Sequence, residues 1–410
     1  MQVLKTHMEI NEIKEGSIIS PKGFSTSGVH AGLRYTKNDM GIIVSEVPAV
    51  SAAVYTTSHF QAAPLIVTQE SLAVEQKLQA FIVNSACANA CTGKRGLQDA
   101  LQTRTWVAKK FNLPEHYVGV ASTGVIGEYL KMDKIHVGIT KLDPKATNAS
   151  AEEFEKAILT TDLVTKKCGY ETIIDGKKVT MGGAAKGSGM IHPNMATMLG
   201  FVTTDAAIAP EHLQTALRQV TNQTFNQITV DGDTSTNDMV VVMANGLAQN
   251  SPLSPEHPEW DKFVAMLKQV CEQLAKKIAR DGEGATKLVE VEVLGAASEE
   301  EARKVAKEIV GSNLVKTAVY GADANWGRII GAIGYSDAII NPDTIDISIG
   351  EHLILKGSEV QMYSEDEVTE YLKGENIKFI VNLNIGEGKG LAWGCDLSYD
   401  YVKINASYRT

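Results

Sequence analysis

The chain is poor in the features that would place it at once. Its 410 residues hold five cysteines, Cys87, Cys91, Cys168, Cys271 and Cys395, an odd and scattered set. Only Cys87 and Cys91 are close, spaced C-x-x-x-C with no histidine beside them, whereas a zinc site wants two such pairs or nearby histidine. No metal is therefore expected, and the thiols read as small buried hydrophobes. There is no excess of basic residues. Lys and Arg number 39 against 49 Asp and Glu, a net charge of -10 without any long Lys or Arg block. Nucleic acid and membrane surfaces both demand a basic face, so neither is an expected partner. No apolar run approaches the ~18 residues that span a bilayer, and the start MQVLKTHMEINEIKEG lacks the apolar core of a signal peptide. A cytoplasmic location is expected. Proline is sparse, at 11, and neither a low-complexity linker nor an internal repeat interrupts the chain.

What is present is an ordinary globular composition, 44% hydrophobic and 21% charged, on a length that suggests two or three domains. Strand-like and helix-like runs alternate in mixed order. Residues 16–68 read as strands, including MGIIVSEVPAVSAAVYTT and PLIVTQE; QAFIVN and YVGVAS add two more. LQDALQTRTWVAKKF and EWDKFVAMLKQVCEQLAKKIAR carry helical stripes, and Pro210 fits the first turn of PEHLQTALRQVTNQ. Ser298 and Glu301 have the spacing of a capping box for SEEEARKVAKEIV, closed by Gly311. Strands recur at KLVEVEV, TIDISIG, HLILKG and KFIVNLNIG. This is mixed α and β with antiparallel signals, not a series of βαβ units.

The centre of the chain, GGAAKGSGMIHPNMATMLGFVTTDA at 182–206, shows neither helical nor strand periodicity before Met198. The order of residues speaks against a phosphate loop: Lys186 precedes Gly187, and Pro193 breaks any following helix, whereas the Walker pattern places Lys after its second glycine at a helix start. A plain glycine-rich connection is the ordinary reading. Against it stands the Ala196-Thr197 pair, where a loop becomes an apolar strand. Cutting that bond would give Thr197 a free α-amine, with a pKa of about 7.7–8.0, within reach of its own hydroxyl. One residue then serves as nucleophile and base, and His192 is not needed. Acyl transfer also wants donors for an oxyanion. The turn ASTGVIG after a buried strand offers the Thr123 hydroxyl beside the Gly124 amide.

Taken together, GGAAKGSGMIHPNMATMLGF, STGVIG, TTD at 160–162, VDGDTSTND at 230–238, DGEGATK at 281–287 and GADANWGRI at 321–329 resemble the bacterial ornithine acetyltransferase family of arginine biosynthesis. The likeness runs the whole chain, to the final NASYRT. It implies a glutamate N-acetyltransferase that cuts itself between Ala196 and Thr197 into an α chain, 1–196, and a β chain, 197–410. Thr197 would take the acetyl group from N-acetylornithine and pass it to glutamate, with no cofactor. Some members also use acetyl-CoA as donor. The resemblance assigns Thr123 and Gly124 to the oxyanion hole and Thr160, Lys186, Thr197, Glu283, Asn405 and Thr410 to substrate contacts, with Thr161 competing for the role of its neighbour. It further implies an α/β fold: a layered sandwich of helices around sheets over 1–280, a smaller C-terminal α/β domain over 281–410, and an α2β2 heterotetramer of the cut chains. Two other functions fit the residues alone. A self-cleaving aminopeptidase or amidase would use the same nucleophile with water as acceptor, and a small-molecule binding protein would need no cut.

Overall fold

The run Met239–Ala244 is apolar throughout because both of its faces are covered. Val240, Val242 and Ala244 enter one core and Met239, Val241 and Met243 another. The computed structural model, which describes residues 9–192 and 198–407, builds this strand into the larger of two mixed sheets. Strands β1 (Asn11–Glu12), β2 (Phe24–Val29), β3 (Met40–Tyr55), β4 (Lys77–Asn84), β5 (Val118–Ser122), β6 (Lys166–Ile174), β7 (Lys177–Lys186), β8 (Leu199–Thr204) and β10 (Met239–Ala244) lie in the order β1-β6-β7-β8-β10-β3-β4-β5, with β2 also on β3. The second sheet takes β9 (Ile228–Thr229), β11 (Leu288–Ala296), β12 (Asp346–Ile349), β13 (His352–Lys356), β14 (Glu359–Val360), β15 (Asn376–Asn382) and β16 (Gly388–Cys395), in the order β14-β13-β12-β15-β11-β16-β9.

The larger sheet folds over on itself. Phe81 on β4 and Phe201 on β8 stand three strands apart in the sheet, roughly 14 Å if it were flat, yet their rings meet edge to face at 5.5 Å. The fold is made by β3, whose register against β4 slips between Val44 and Ala49. This one strand sends Ile42, then Ile43 and Ala53, then Ala52 and Val54 into three different cores. Helices cover the two outer faces. On one side lie α1 (Ala63–Glu75), α2 (Gly93–Phe111) and α3 (Met132–Lys141); α4 (Asn148–Ala157) packs on β2; and α5 (Pro210–Gln223) and α6 (Trp260–Arg280) close the other side. The second sheet has its own core against α7 (Glu299–Gly311), α8 (Asn313–Tyr320), α9 (Trp326–Gly334) and α10 (Glu365–Leu372). Its other face sends Trp393 and Cys395 into the core around α6, which thus joins the two sheets. A last helix, α11 (Tyr399–Ser407), follows. The α/β class and the layered sandwich of helices around sheets are those that the family resemblance implies.

Three local expectations are corrected. PLIVTQE is helix, not strand. Pro64 sits in its first turn, and its buried face is completed by Thr68 and Ser71, whose hydroxyls donate to the Val120 and Val118 carbonyls of β5 at 2.7 and 2.9 Å. Two polar residues on the inner face hide the helical period. GGAAK at 182–186 is strand, not loop, and its small residues answer to crowding: a Cβ on Gly182 would lie 1.9 Å from the Ser17 carbonyl oxygen. At α7 only half of the capping box forms. Ser298 accepts from the Glu301 N–H, but the Glu301 carboxylate turns to the Ile339 N–H and Lys304. Gly311 is the helix's last residue, not its cap.

Candidate active site

Seven segments converge on one cavity of about 270 Å³. They are the turn after β5, the loop after α4, the end of β7 with the residues that follow it, the start of β8, the loop before β10, the connection after α6, and α11. Of the residues singled out in the sequence, Thr123, Gly124, Thr160, Lys186, Glu283 and Asn405 all line it, and so does Thr161. Met198 and Leu199 form part of its wall. Ala196, Thr197 and Thr410 lie outside the described residues.

The turn after β5 is held from both sides. Thr123 donates its N–H to the Asn84 carbonyl at 2.9 Å and Val125 donates to Ala86 at 3.3 Å. Asn237 ties the turn to the loop before β10, its Nδ2 donating to Ser122 O at 2.8 Å and to Ala88 O at 2.6 Å. Gly124 has φ +128°, and a Cβ there would fall 2.4 Å from the Ala86 carbonyl carbon and oxygen, so no other residue fits without moving backbone. Its N–H has no acceptor among the described residues. An amide fixed in this way, beside a hydroxyl on the preceding residue, is the arrangement that stabilises a developing oxyanion.

Lys186 ends β7 with its side chain in the cavity wall. Its Nζ donates to Thr160 Oγ1 at 2.8 Å and Thr123 Oγ1 at 3.4 Å, and it stands 4.0 Å from the Asp162 carboxylate. Burial draws this ammonium below the ordinary lysine range, against the pull of Asp162. Asp162 is itself fully buried. Burial alone would raise its carboxyl, but Lys186, Lys166 and the Gly187 N–H outweigh that and hold it well below the usual carboxylate range. Also in the lining, Glu283 folds back over Gly189, whose missing Cβ would sit 2.4 Å from the Glu283 carboxyl carbon. Asn405 on α11 donates to Glu283 Oε2 at 2.8 Å. The cavity therefore offers a cation with two hydroxyls, and a carboxylate with an amide.

Several lining residues carry chemistry that the sequence reading left unassigned. Asp238, 3% exposed, has one carboxyl oxygen without a partner among the described residues, and burial drives its carboxyl well above the usual range. Asp231 accepts from the N–H groups of Met190 and Ile191 at 2.7 and 2.8 Å, and so pins the chain that follows β7. Asp162, Asp231, Asp238 and Asp281 all stand inside motifs quoted above; the signal was there, but attention went to glycine, threonine and glutamate beside them. His192 is turned to Thr229 Oγ1 at 3.0 Å, and its imidazole is pulled down to about 4 by burial, with Lys307 adding to it. Among the described residues no cluster of His, Cys, Asp and Glu is fit to hold a metal, and no helix is long and apolar enough to cross a membrane.

Comparison with known proteins gives a consistent result. The profile of the ArgJ family matches residues 25–410. The arginine biosynthesis bifunctional protein ArgJ of Geobacillus kaustophilus is 65% identical over the full length of both chains. Among solved structures, a chain of the arginine biosynthesis bifunctional protein ArgJ from Bacillus halodurans is 67% identical, with a TM-score of 0.51; all of that chain is matched, covering 52% of this one. A chain of ornithine acetyltransferase from Mycobacterium tuberculosis, solved in complex with ornithine, is 33% identical over 46% of this chain and all of its own, with a TM-score of 0.43.

Proposed function

The chain belongs to the ArgJ family, and from that premise we propose that it is a self-cleaving acetyltransferase that moves an acetyl group from N-acetylornithine to glutamate in arginine biosynthesis. The observation that carries the reading is the polarity of the cavity. Lys186 with Thr160 fits an α-carboxylate, which both substrates have, while Glu283 with Asn405 fits the far end of an amino acid that carries an ammonium.

The chemistry begins with the bond between Ala196 and Thr197. The Thr197 hydroxyl attacks the Ala196 carbonyl, the peptide C–N bond breaks to leave an ester and a free α-amine, and water then hydrolyses the ester to restore the hydroxyl. In each later cycle that amine takes the proton of the Thr197 hydroxyl as its oxygen attacks the acetyl carbonyl carbon of N-acetylornithine. Negative charge on the acetyl oxygen is met by the Gly124 N–H and the Thr123 hydroxyl. The amide C–N bond breaks, the proton passes to the leaving amine, and ornithine departs from an acetyl-Thr197 ester. The glutamate amine then attacks that ester, and the hydroxyl is restored. Acetyl-CoA would enter as an alternative donor to the same hydroxyl, in keeping with the word bifunctional in the relatives' name.

Two features support the cut. The Bacillus halodurans chain accounts for 52% of this one, the share that cleavage before Thr197 would leave on its C-terminal side. The strands on either side of the bond, β7 and β8, pair antiparallel from Met181↔Thr204 to Lys186↔Leu199, so both fragments would remain in one sheet. An α2β2 assembly of these fragments is part of the proposal.

Intact-mass spectrometry after mixing with N-acetylornithine, without glutamate, tests the whole reading. Two chains divided at Ala196–Thr197, the second carrying one acetyl group, are expected. Two chains without acetyl would move the assignment to a hydrolase, and one uncut chain would end it.

A further inference from the structure

Below the cavity lies a closed ring of contacts that the mechanism above does not use. Lys166, at the start of β6, is wholly buried and donates from one Nζ to Asp162 Oδ1 at 2.8 Å and to Asp281 Oδ2 at 2.6 Å. Asp162 Oδ1 also accepts the Gly187 N–H at 2.6 Å, and the next residue, Ser188, donates its hydroxyl to the Asp281 carbonyl at 2.7 Å. The ring thus runs from Asp162 through Lys166 and Asp281 to Ser188 and Gly187 and back.

Both the Lys186 group and the Glu283 group hang from this ring. Asp162 takes the Thr160 N–H at 3.0 Å on its second oxygen, and that oxygen faces Lys186 at 4.0 Å. On the other side, the Glu283 N–H donates to the Ser188 carbonyl at 3.1 Å, two residues after Asp281. Asp281 also accepts the Leu163 N–H at 3.1 Å, which draws the loop after α4 onto the end of α6. With Lys186 the ring holds two lysines and two aspartates, a neutral buried group. Lys166 is the member that stands between the two carboxylates. Without it, two anions on two separate loops would share a site closed to water, and their repulsion would drive the loops apart.

We infer that Lys166 is a positioning residue for length selection: by clamping Asp162 to Asp281 it sets the span between Lys186 and Glu283, and so the chain length of the donor, whose α-carboxylate and far ammonium meet these two groups. The inference rests on the acetyl transfer proposed above. It says that N-acetylornithine is preferred over its neighbours one methylene shorter and longer because this strut is rigid, not because any group touches that methylene.

The test compares the α-N-acetyl derivatives of 2,4-diaminobutyrate, ornithine and lysine as donors, with glutamate as acceptor, in the full-length protein and in Lys166→Met, which keeps the volume and removes the charge. The ratio of kcat/KM for N-acetylornithine over each neighbour should fall about tenfold or more in the variant, mainly through a higher KM for N-acetylornithine. Asp281→Asn provides the second arm. It weakens one side of the clamp, leaves Lys166 with Asp162 and the Val164 carbonyl at 3.3 Å, and should lower the same ratios about threefold. It answers the question even where Lys166→Met does not fold. An equal loss for all three donors, which leaves the ratios unchanged, would overturn the inference. A wild-type protein that takes an acetyl group from none of the three would instead overturn the proposed function.

Discussion

Asn405, on the last helix, donates its Nδ2 hydrogen to Glu283 Oε2 across 2.8 Å. The two residues are remote in the chain, and this bond ties α11 into the cavity wall, to which it contributes Tyr401 and Asn405. None of the helix's residues is buried. Its other contacts include the edge-to-face packing of Tyr399 on Tyr320 at 5.9 Å and, just before it, the Ser398 hydroxyl on the Gly284 carbonyl at 2.6 Å. Asn405→Ala would leave Glu283 short of one donor to a charged group, a loss of about 1.5–3 kcal/mol at most in binding. The expected result is a KM for N-acetylornithine raised about tenfold or more, with kcat changed less, read from steady-state rates at saturating glutamate. An unchanged KM would separate Asn405 from the substrate.

Gly189→Ala probes the same carboxylate from beneath. The added methyl would come within 2.4 Å of the Glu283 carboxyl carbon and 2.5 Å of both its oxygens, and the atoms that must yield are the tip of a flexible side chain. The fold should therefore tolerate the change, with an apparent Tm within a few degrees of wild type, while KM for the donor rises. A variant that loses stability and keeps its KM would contradict this division.

Gly124→Ala is a different case, because nothing around it can give way cheaply. The methyl would meet Ala86 backbone at 2.4 Å, and φ at +128° is closed to alanine. Relief can come only by displacing the turn that carries the 124 N–H. Loss of one oxyanion donor costs roughly 10²–10³ in kcat, and that is the fall expected in single-turnover transfer. Far-UV circular dichroism would remain as in wild type. Full activity in this variant would remove Gly124 from the oxyanion site.

Such positions also show how far the sequence could be read. A turn such as that of Thr123 and Gly124 is by itself most often only a turn, and a lysine among glycines most often a surface lysine; the resemblance across several motifs is what singled these residues out. The layers were harder. MVVVMA looks the same whether a strand is covered by a helix or by another part of its own sheet, and only the Phe81–Phe201 contact shows that β3 folds one half of the sheet onto the other. Helix α1 went unread because its inner face is closed by Thr68 and Ser71, whose value lies in carbonyls of β5 that no local pattern reveals. Lys166 was invisible for a similar reason. A lysine at a strand start reads as solvated, and its burial depends on two aspartates that come from either side in the chain, one of them far removed.

Glu155 offers a prediction independent of the cavity. It lies on α4 at 1% exposure, and neither carboxyl oxygen has a hydrogen-bond partner among the described residues. Burial, opposed in part by Lys167, lifts its carboxyl from 4.5 to about 7. A raised value means that the folded chain keeps this proton to higher pH than the unfolded chain does. The stability is thus complete below about 4.5 and is lost as pH climbs through about 7. At 1.36 kcal/mol per unit, the ionised form at pH 8 costs up to about 3 kcal/mol. Glu155→Gln removes that cost without changing the shape of the side chain. Thermal melts at two pH values should show the variant more stable than wild type at pH 8 and no more stable near pH 4.5, where both side chains are neutral. A gain of equal size at the two pH values would mean that packing, not ionisation, governs the site.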